Sequence, residues 1–278
     1  MRINWFPGHM KKTMDELKDK VKLADVILYI LDSRAPISTL NPEFTKILGN
    51  KPIIFVLNKV DFVSEIELKP FCEKLISENT RFVMMDSTKP NSYKQVLNKT
   101  NELMIKKIER NKNKGINIPL RLMVIGVPNV GKSTLINNFA CKNKAEVGNR
   151  PGVTKNTQWV KVDNNIELLD TPGTLWPKLD DERVALHLAY IGSIKDEVLI
   201  LTDLCFEFIK ELAPIYPNNF KARYNVDVLN KEPIEIYDEI CLSRGFIMKN
   251  REIDYERGAK AILDDYRKGK LGKIILDR

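Results

Sequence analysis

The sequence predicts an α/β chain: a mostly parallel sheet with helices over residues 1–177, followed by a smaller all-α domain over 178–278. Three observations predict it. Apolar, β-rich runs alternate with helical stretches at the spacing of βαβ units. A Gly/Pro/Asn turn at 126–131 stands between such a run and the start of a helix. Beyond Pro177 the strand signals fade and helical periodicity takes over.

Met10, Met14, Leu17 and Val21 recur at helical spacing and predict an amphipathic helix over 10–22. Strands are expected at Val26–Leu31, Ile53–Leu57 and Phe82–Met85, with helices near 41–49 and 65–78 between them. Residues 91–114 read as a long Lys/Asn-rich helix and 115–119 (GINIP) as a linker. Leu120–Ile125 is another strand, followed by the turn and a helix from Ser133. Gln158–Val162 and Ile166–Leu169 read as a hairpin around Asn164–Asn165. Residues 181–275 read as mostly helical, which puts the domain boundary near 175–180.

With 43% hydrophobic and 29% charged residues in 278, the chain can build a core, which excludes a disordered or fibrous protein. Its longest apolar stretch, Val26–Leu31, falls far short of the roughly 20 residues of a membrane span. The opening MRINWFPGHMKK has no apolar or Arg/Ser-rich leader, and Cys72, Cys141, Cys205 and Cys241 are scattered without a C-x-x-C pair. A cytoplasmic protein with reduced thiols and no membrane partner is expected. Residues 1–177 carry 28 basic and 18 acidic side chains, 178–243 carry 7 and 13, and 244–278 carry 10 and 6. Basic charge at both ends of the chain suits a polyanion partner, and equally a solvated surface.

GVPNVGKS at 126–133 matches G-x-x-x-x-G-K-[ST] in the strand–turn–helix context that motif needs. Backbone N–H groups of Asn129, Val130, Gly131, Lys132, Ser133 and Thr134 can wrap a phosphate at a helix N-terminus. Lys132 can reach the β- and γ-phosphates, where its charge assists the reaction, and the Ser133 hydroxyl can ligate Mg²⁺. Both side chains are expected to face solvent in the empty site. Asp170-Thr171-Pro172-Gly173 ends an apolar run: Asp170 can hold the Mg²⁺ shell through water, and Gly173 can offer its N–H to the γ-phosphate. Thr154, in Pro151-Gly152-Val153-Thr154, can complete the metal shell or be an ordinary turn threonine.

Asn58-Lys59-Val60-Asp61 follows the run IIFVL. The Asp61 carboxylate can accept from N1–H and the 2-amino group of guanine, a pair of donors adenine lacks. Asn58 can brace the neighbouring loop, the Lys59 stem can lie over the base, and Asp86-Ser87 can touch it through backbone N–H groups. In Ras-type GTPases the phosphate motif comes first; here N-K-x-D precedes it. All the motifs can still meet at the carboxyl edge of one parallel sheet if the chain is a circularly permuted Ras-like P-loop GTPase domain, with 115–119 joining the old ends. The new break then falls just after DTPG, wiring nucleotide state to residues 178–278.

WFPGHM (5–10), DSRAP (32–36), NKVD, GVPNVGKS, PGVTK, DTPGTLWPK (170–178) and RGFIMKNREIDYERGAKAILDDYRKGKLG together resemble the circularly permuted GTPases of the YlqF type, the ribosome biogenesis GTPase A family, over the whole chain. The resemblance implies a GTP-hydrolysing assembly factor of the large (50S) ribosomal subunit, stimulated by that subunit, with a C-terminal helical bundle that contacts rRNA. A monomer is expected. Ser33 stands where members read D-A-R and Thr174 where many read DTPGI; the role of each is open.

Ras-type enzymes orient the attacking water with a Gln after D-x-x-G. Here that place is Thr174-Leu175, and the two glutamines, Gln95 and Gln158, lie elsewhere. The resemblance assigns catalysis to His9; the residues alone allow a docking histidine equally well, and place it outside the G domain, on an arm that must fold over the site. His187 reads as a packing histidine in an apolar helix. The resemblance also implies that Asn129 helps bind K⁺; the alternative is a turn-stabilising Asn. Against these stands a GTP-binding RNA scaffold, or a regulator acting on another RNA, with little turnover; intact Lys132, Ser133, Thr154 and Asp170 argue against it.

Overall fold

Every residue of β1 (Val26–Asp32) is buried, and successive side chains point to opposite faces. Val26, Leu28 and Ile30 enter one apolar cluster, and Ile27, Tyr29 and Leu31 enter another. Such burial on both faces marks a central strand of a parallel sheet covered by helices. The structure, a computed structural model, describes residues 9–140, 159–163, 165–176 and 181–278.

Among the described residues, β1 pairs in parallel with β2 (Ile53–Asn58) on one side and β4 (Leu120–Ile125) on the other. β3 (Thr80–Met85) extends the sheet beyond β2, and β6 (Ile166–Asp170) lies beside β4. β5 (Trp159–Asp163) runs antiparallel to β6 at the far edge, as the sequence-predicted hairpin requires. The order is therefore β3–β2–β1–β4–β6–β5, mostly parallel, with the P-loop strand β4 in the middle although it is fourth in the chain. This is the permuted arrangement: the strand that ends in N-K-x-D comes before the P-loop strand and the strand that ends in D-x-x-G.

Helices α1 (His9–Leu23), α2 (Pro42–Leu48), α3 (Glu65–Lys74), α4 (Tyr93–Asn113) and α5 (Lys132–Ala140) accompany the sheet. Asn41 caps α2 by accepting from the Glu43 N–H at 2.9 Å, and Pro42 opens the helix where a missing N–H costs nothing. α3 stops four residues short of its expected end, because Ser77 and Thr80 bridge and the Thr80 hydroxyl caps Leu75 O at 2.5 Å. Met14, Leu17 and Val21 of α1 are buried against Ile27, Tyr29, Met123 and Leu169, so this helix lies on the sheet itself.

After residue 181 come α6 (Glu182–Tyr190), α7 (Leu201–Leu212), α8 (Pro217–Tyr224), α9 (Pro233–Ser243) and α10 (Tyr255–Arg267). Phe208 of α7 touches the rings of Tyr190, Phe220 and Tyr266. One apolar cluster runs from the sheet (Leu28, Val124) through this bundle (Leu204, Ile262). The chain then turns back: Ile275 is buried with Leu57, Val63, Leu68 and Cys72, beside β2 and α3. No described helix is long and apolar enough to cross a membrane.

Candidate nucleotide site

Register brings the motifs into one row. Asp32 pairs with Asn58 and Asn58 with Met85, while Tyr29 pairs with Ile125 and Val124 with Asp170. The residues following β1, β2, β3, β4 and β6 therefore emerge together at the carboxyl edge, where open α/β sheets bind ligands.

On the phosphate side the turn after β4 is fixed by close backbone approach. Asn129 takes a left-handed conformation (φ 62°) and Gly131 has φ 99°. A Cβ on Gly131 would lie 2.2 Å from Asn58 Nδ2, so only glycine fits. Lys132 is 7% exposed, which corrects the expectation that it faces solvent. Its Nζ donates to Gly126 O at 3.0 Å and Val127 O at 2.8 Å, folded back on its own loop. Burial pulls its pKa down to about 8, with Asp170 pulling weakly the other way. The cause is the narrow turn: an ammonium that cannot reach water takes the nearest carbonyls. Ser133 and Thr134 are exposed at the start of α5, as a helix-terminal anion site needs.

Gly173 closes over this turn, and a Cβ there would lie 2.6 Å from Lys132 Nζ and 2.9 Å from Pro128 Cα. The Thr171 hydroxyl donates to Val124 O at 2.5 Å. Thr174 is buried, with its hydroxyl 3.8 Å from Met14 Sδ. The polar departure from the family pattern is thus a contact between the segment after DTPG and α1. His9 begins α1, five residues before Met14, or about 7 Å along the helix axis. From Met14 onward the helix that carries His9 packs on the sheet; the His9 side chain, and with it the expected fold-over of the arm, lies outside the described residues, as do Thr154 and the PGVT turn.

At the N-K-x-D strand end, Asn58 is buried and bridges two loops: its Oδ1 accepts from Ser87 N–H at 2.9 Å and its Nδ2 donates to Val130 O at 2.8 Å. Lys59, left-handed at φ 61°, places Nζ 2.7 Å from Asn129 O and 2.8 Å from Asp32 Oδ2. Its pKa falls through burial, which the neighbouring Asp32 only partly offsets. Asp61 sits exposed on the 3₁₀ turn Val60–Phe62. Asp86, half-buried, caps the next turn by accepting from Thr88 N–H at 2.9 Å and from its hydroxyl at 2.6 Å.

Three groups of supports escaped the sequence reading. Asn138 of α5 donates to Ser87 O, Lys89 O and Ser92 Oγ at 3.0, 2.6 and 2.9 Å, pinning the loop after β3. An Asn inside a helix is the signal that could have found it. The P-loop is held from the helical bundle: Asn129 Nδ2 donates to Gly192 O at 2.5 Å and Ser193 Oγ to Pro128 O at 2.7 Å. His187 is buried as expected, yet it is no mere packing residue. Its Nδ1 lies 2.9 Å from Asp277 Oδ1 and its Nε2 2.9 Å from Glu211 Oε1. Burial would lower its pKa, but these two carboxylates outweigh it and raise the value. Asp277 also accepts from Ile37 and Ser38 N–H at 2.6 and 2.8 Å, tying residues after α10 to the DSRAP loop.

The Ser133 hydroxyl at the start of α5 and the Asp170 carboxylate at the end of β6, on neighbouring elements of the carboxyl edge, are hard oxygens. That set fits Mg²⁺, which keeps water and phosphate oxygens as most of its shell.

A phosphate-cradling turn, a D-x-x-G strand end and an N-K-x-D strand end on one sheet edge, in permuted chain order, define a GTP-hydrolysing P-loop protein. The model of the family described as 50S ribosome-binding GTPase matches residues 121–237, beginning at the P-loop strand and leaving Asn58–Asp61 outside. Ribosome biogenesis GTPase A of Bacillus licheniformis is 40% identical over 100% of this chain and 99% of its own, and that of Priestia megaterium 39% over 100% and 97%. The crystal structure of GNP-bound YlqF from T. maritima superposes with a TM-score of 0.65 at 25% identity, covering 96% of this chain and 98% of that one. The chain belongs to the ribosome biogenesis GTPase A family.

Proposed function

We propose that this GTPase of ribosome biogenesis acts on the large (50S) subunit in the cytoplasm as a monomer, with residues 1–177 as the permuted G domain and 178–278 as a helical domain that contacts rRNA. Asp61 reads guanine, Asn58 and Lys59 hold the loop that presents it, and Asp86 and Ser87 flank the base. Backbone groups of Asn129 to Thr134 take the phosphates. Mg²⁺, held by Ser133, Thr154 and, through water, Asp170, supplies charge stabilisation when bound. Lys132 leaves its two carbonyls for the β- and γ-phosphates, Gly173 follows the γ-phosphate, and His9 orients the attacking water. Asn129 Oδ1 is the atom offered to K⁺, since its Nδ2 is taken by Gly192.

The observation that carries this reading is the Lys59–Asn129 hydrogen bond, which joins the two halves of the site. Joined in that way, base recognition and phosphate position change together, as a nucleotide-controlled assembly factor requires. The test is GTP turnover with and without purified large subunits, in K⁺ and in Na⁺, for the parent and His9→Ala. Stimulation by subunits that is lost in His9→Ala, with GTP affinity retained, supports the reading. Equal turnover with and without subunits overturns the ribosomal part, and parent-like stimulation of His9→Ala removes His9 from the chemistry.

A further inference from the structure

Phe62 closes the turn that carries Asp61, and it is held by residues far along the chain. Its carbonyl accepts from Ile274 N–H at 3.2 Å. Gly269, just past α10, faces its ring so closely that a Cβ would come within 2.8 Å of it. Its other neighbour is the Arg34 guanidinium, 5.2 Å from its centroid and 5.3 Å from that of Tyr266 on α10.

Arg34 is itself 1% exposed and fully engaged. Nε and Nη2 grip Asp32 at 2.9 and 2.7 Å, Nη1 donates to Arg267 O at 3.2 Å, and its own carbonyl accepts from Leu276 N–H at 2.7 Å. Asp32 then holds Lys59. A buried charge that is doubly gripped and stacked has one permitted geometry, because each lost partner leaves an unpaired ion in a dry environment. Two contact routes result. One runs from residues 267 and 276 through Arg34, Asp32 and Lys59 to the P-loop; the other runs from residues 269 and 274 through Phe62 to Asp61.

We propose that Asp32, Arg34 and Phe62 are positioning residues for guanine recognition, clamped by the end of α10 and residues 274–276, so that base selectivity is set in part from the C-terminal segment. The proposal rests on the reading that Asp61 binds the base. By reciprocity, a partner that shifts the end of α10 alters nucleotide affinity, and nucleotide alters the affinity for that partner.

The experiment compares dissociation constants for GDP and inosine 5′-diphosphate in the full chain. Inosine lacks the 2-amino group, so the ratio reads the pose of Asp61 against the base while the phosphate contribution cancels. Phe62→Leu and Gly269→Ala are expected to lower the inosine-to-guanine ratio of dissociation constants about three- to tenfold. Phe62→Tyr, which keeps the ring, should hold the parent ratio. Arg34→Lys, which keeps the charge but loses the two-pronged grip, is the further variant should one of the others melt below the assay temperature. Parent ratios in the folded variants overturn the proposal. Asp61→Asn, assayed beside them with xanthosine 5′-diphosphate, separates the two failures: if it does not gain xanthine binding, the guanine reading itself falls; if it does and the ratios are unmoved, only the clamp falls.

Discussion

The P-loop half and the N-K-x-D half of the candidate site are built by different means. Around the P-loop, geometry comes from backbone: two glycines pressed to within clash distance of Asn58, Lys132 and Pro128, a left-handed Asn129, and a lysine bound to carbonyls of its own turn. Around N-K-x-D it comes from side chains: a buried Arg34–Asp32 pair, Lys59 on the same carboxylate, and Asn58 bridging two loops. Burial alone would raise the Asp32 pKa, but Arg34 and Lys59 hold it far below the usual carboxylate range. A backbone-built half depends on a few adjacent residues. A side-chain-built half depends on wherever the chain supplies partners, here the end of α10 and the C-terminal residues beyond it.

The largest effect expected from breaking this contrast is in the P-loop half. Lys132→Met should reduce GTP turnover by about 10² to 10³ through lost charge stabilisation. It should not lower the melting temperature of the nucleotide-free protein at pH 7, because it replaces a buried cation with an apolar chain of similar length. The sign comes from the depressed pKa: between about 8 and the unfolded lysine value the unfolded chain binds more protons, so the parent gains stability on that limb and the variant's advantage shrinks as pH rises. Melting curves from pH 7 to 10 check it; a variant that melts well below the parent at pH 7 shows the ammonium to be a structural tie.

Asp61→Asn should weaken GTP binding by about 10² or more and improve xanthosine triphosphate binding, since a site built on paired donors and acceptors rejects mismatches strongly. Competition binding of both nucleotides reads this directly. Next in size, Gly173→Ala should slow hydrolysis about tenfold while leaving GDP affinity within about threefold, because the added Cβ strikes Pro128 and Lys132 without touching the guanine loop. Equal losses in both measurements would mean the two halves do not separate. GTP affinity of the parent should also fall above pH 8, by up to about tenfold per pH unit, as Lys132 loses the proton it needs to meet phosphate.

The smallest effect concerns His187, which ties the bundle to the DSRAP loop. Its pKa is raised, so its contribution is full below the unfolded histidine value and fades as pH rises through the folded one. Burial would raise the pKa values of Asp277 and Glu211, but hydrogen bonds to His187 and their other partners lower them, so their share fades as pH falls toward the acid range. The stability difference between parent and His187→Asn should therefore be widest near pH 5 to 6 and narrow on either side. A difference that stays flat from pH 4 to 9 would reduce the cluster to packing.

The contrast also explains what could be read in advance. Strand positions, the permutation and the P-loop were legible because they rest on local alternation and on glycine at fixed spacing, both written in contiguous residues. DSRAP was legible as a resemblance but not as a mechanism, because Arg34 finds its partners at Tyr266, Arg267 and Leu276. Lys132 was expected in solvent because sequence spacing gives no measure of how tightly a turn closes over a side chain. The charge pattern of His187 was invisible for the same reason as the clamp: Glu211 and Asp277 come near it only when α6, α7 and the residues after α10 pack.

One consequence of the strand order concerns how the chain folds. β1 and β4 lie side by side in the sheet, pairing Val26 with Leu122, and this seam divides the strands before residue 115 from those after it. The strands β1, β2 and β3 are consecutive, each joined to the next by a short crossover, and can assemble early from nearby contacts. Closing the seam brings together segments separated by almost a hundred residues. Loop entropy grows only slowly with length, about 0.6 kcal/mol for each doubling, so the permutation costs little final stability. Its toll falls on speed, because non-local strand pairing delays the transition state. Substitutions at Ile27 or Met123, buried side chains on the two strands of that seam, should therefore slow refolding more than equally destabilising changes inside α10.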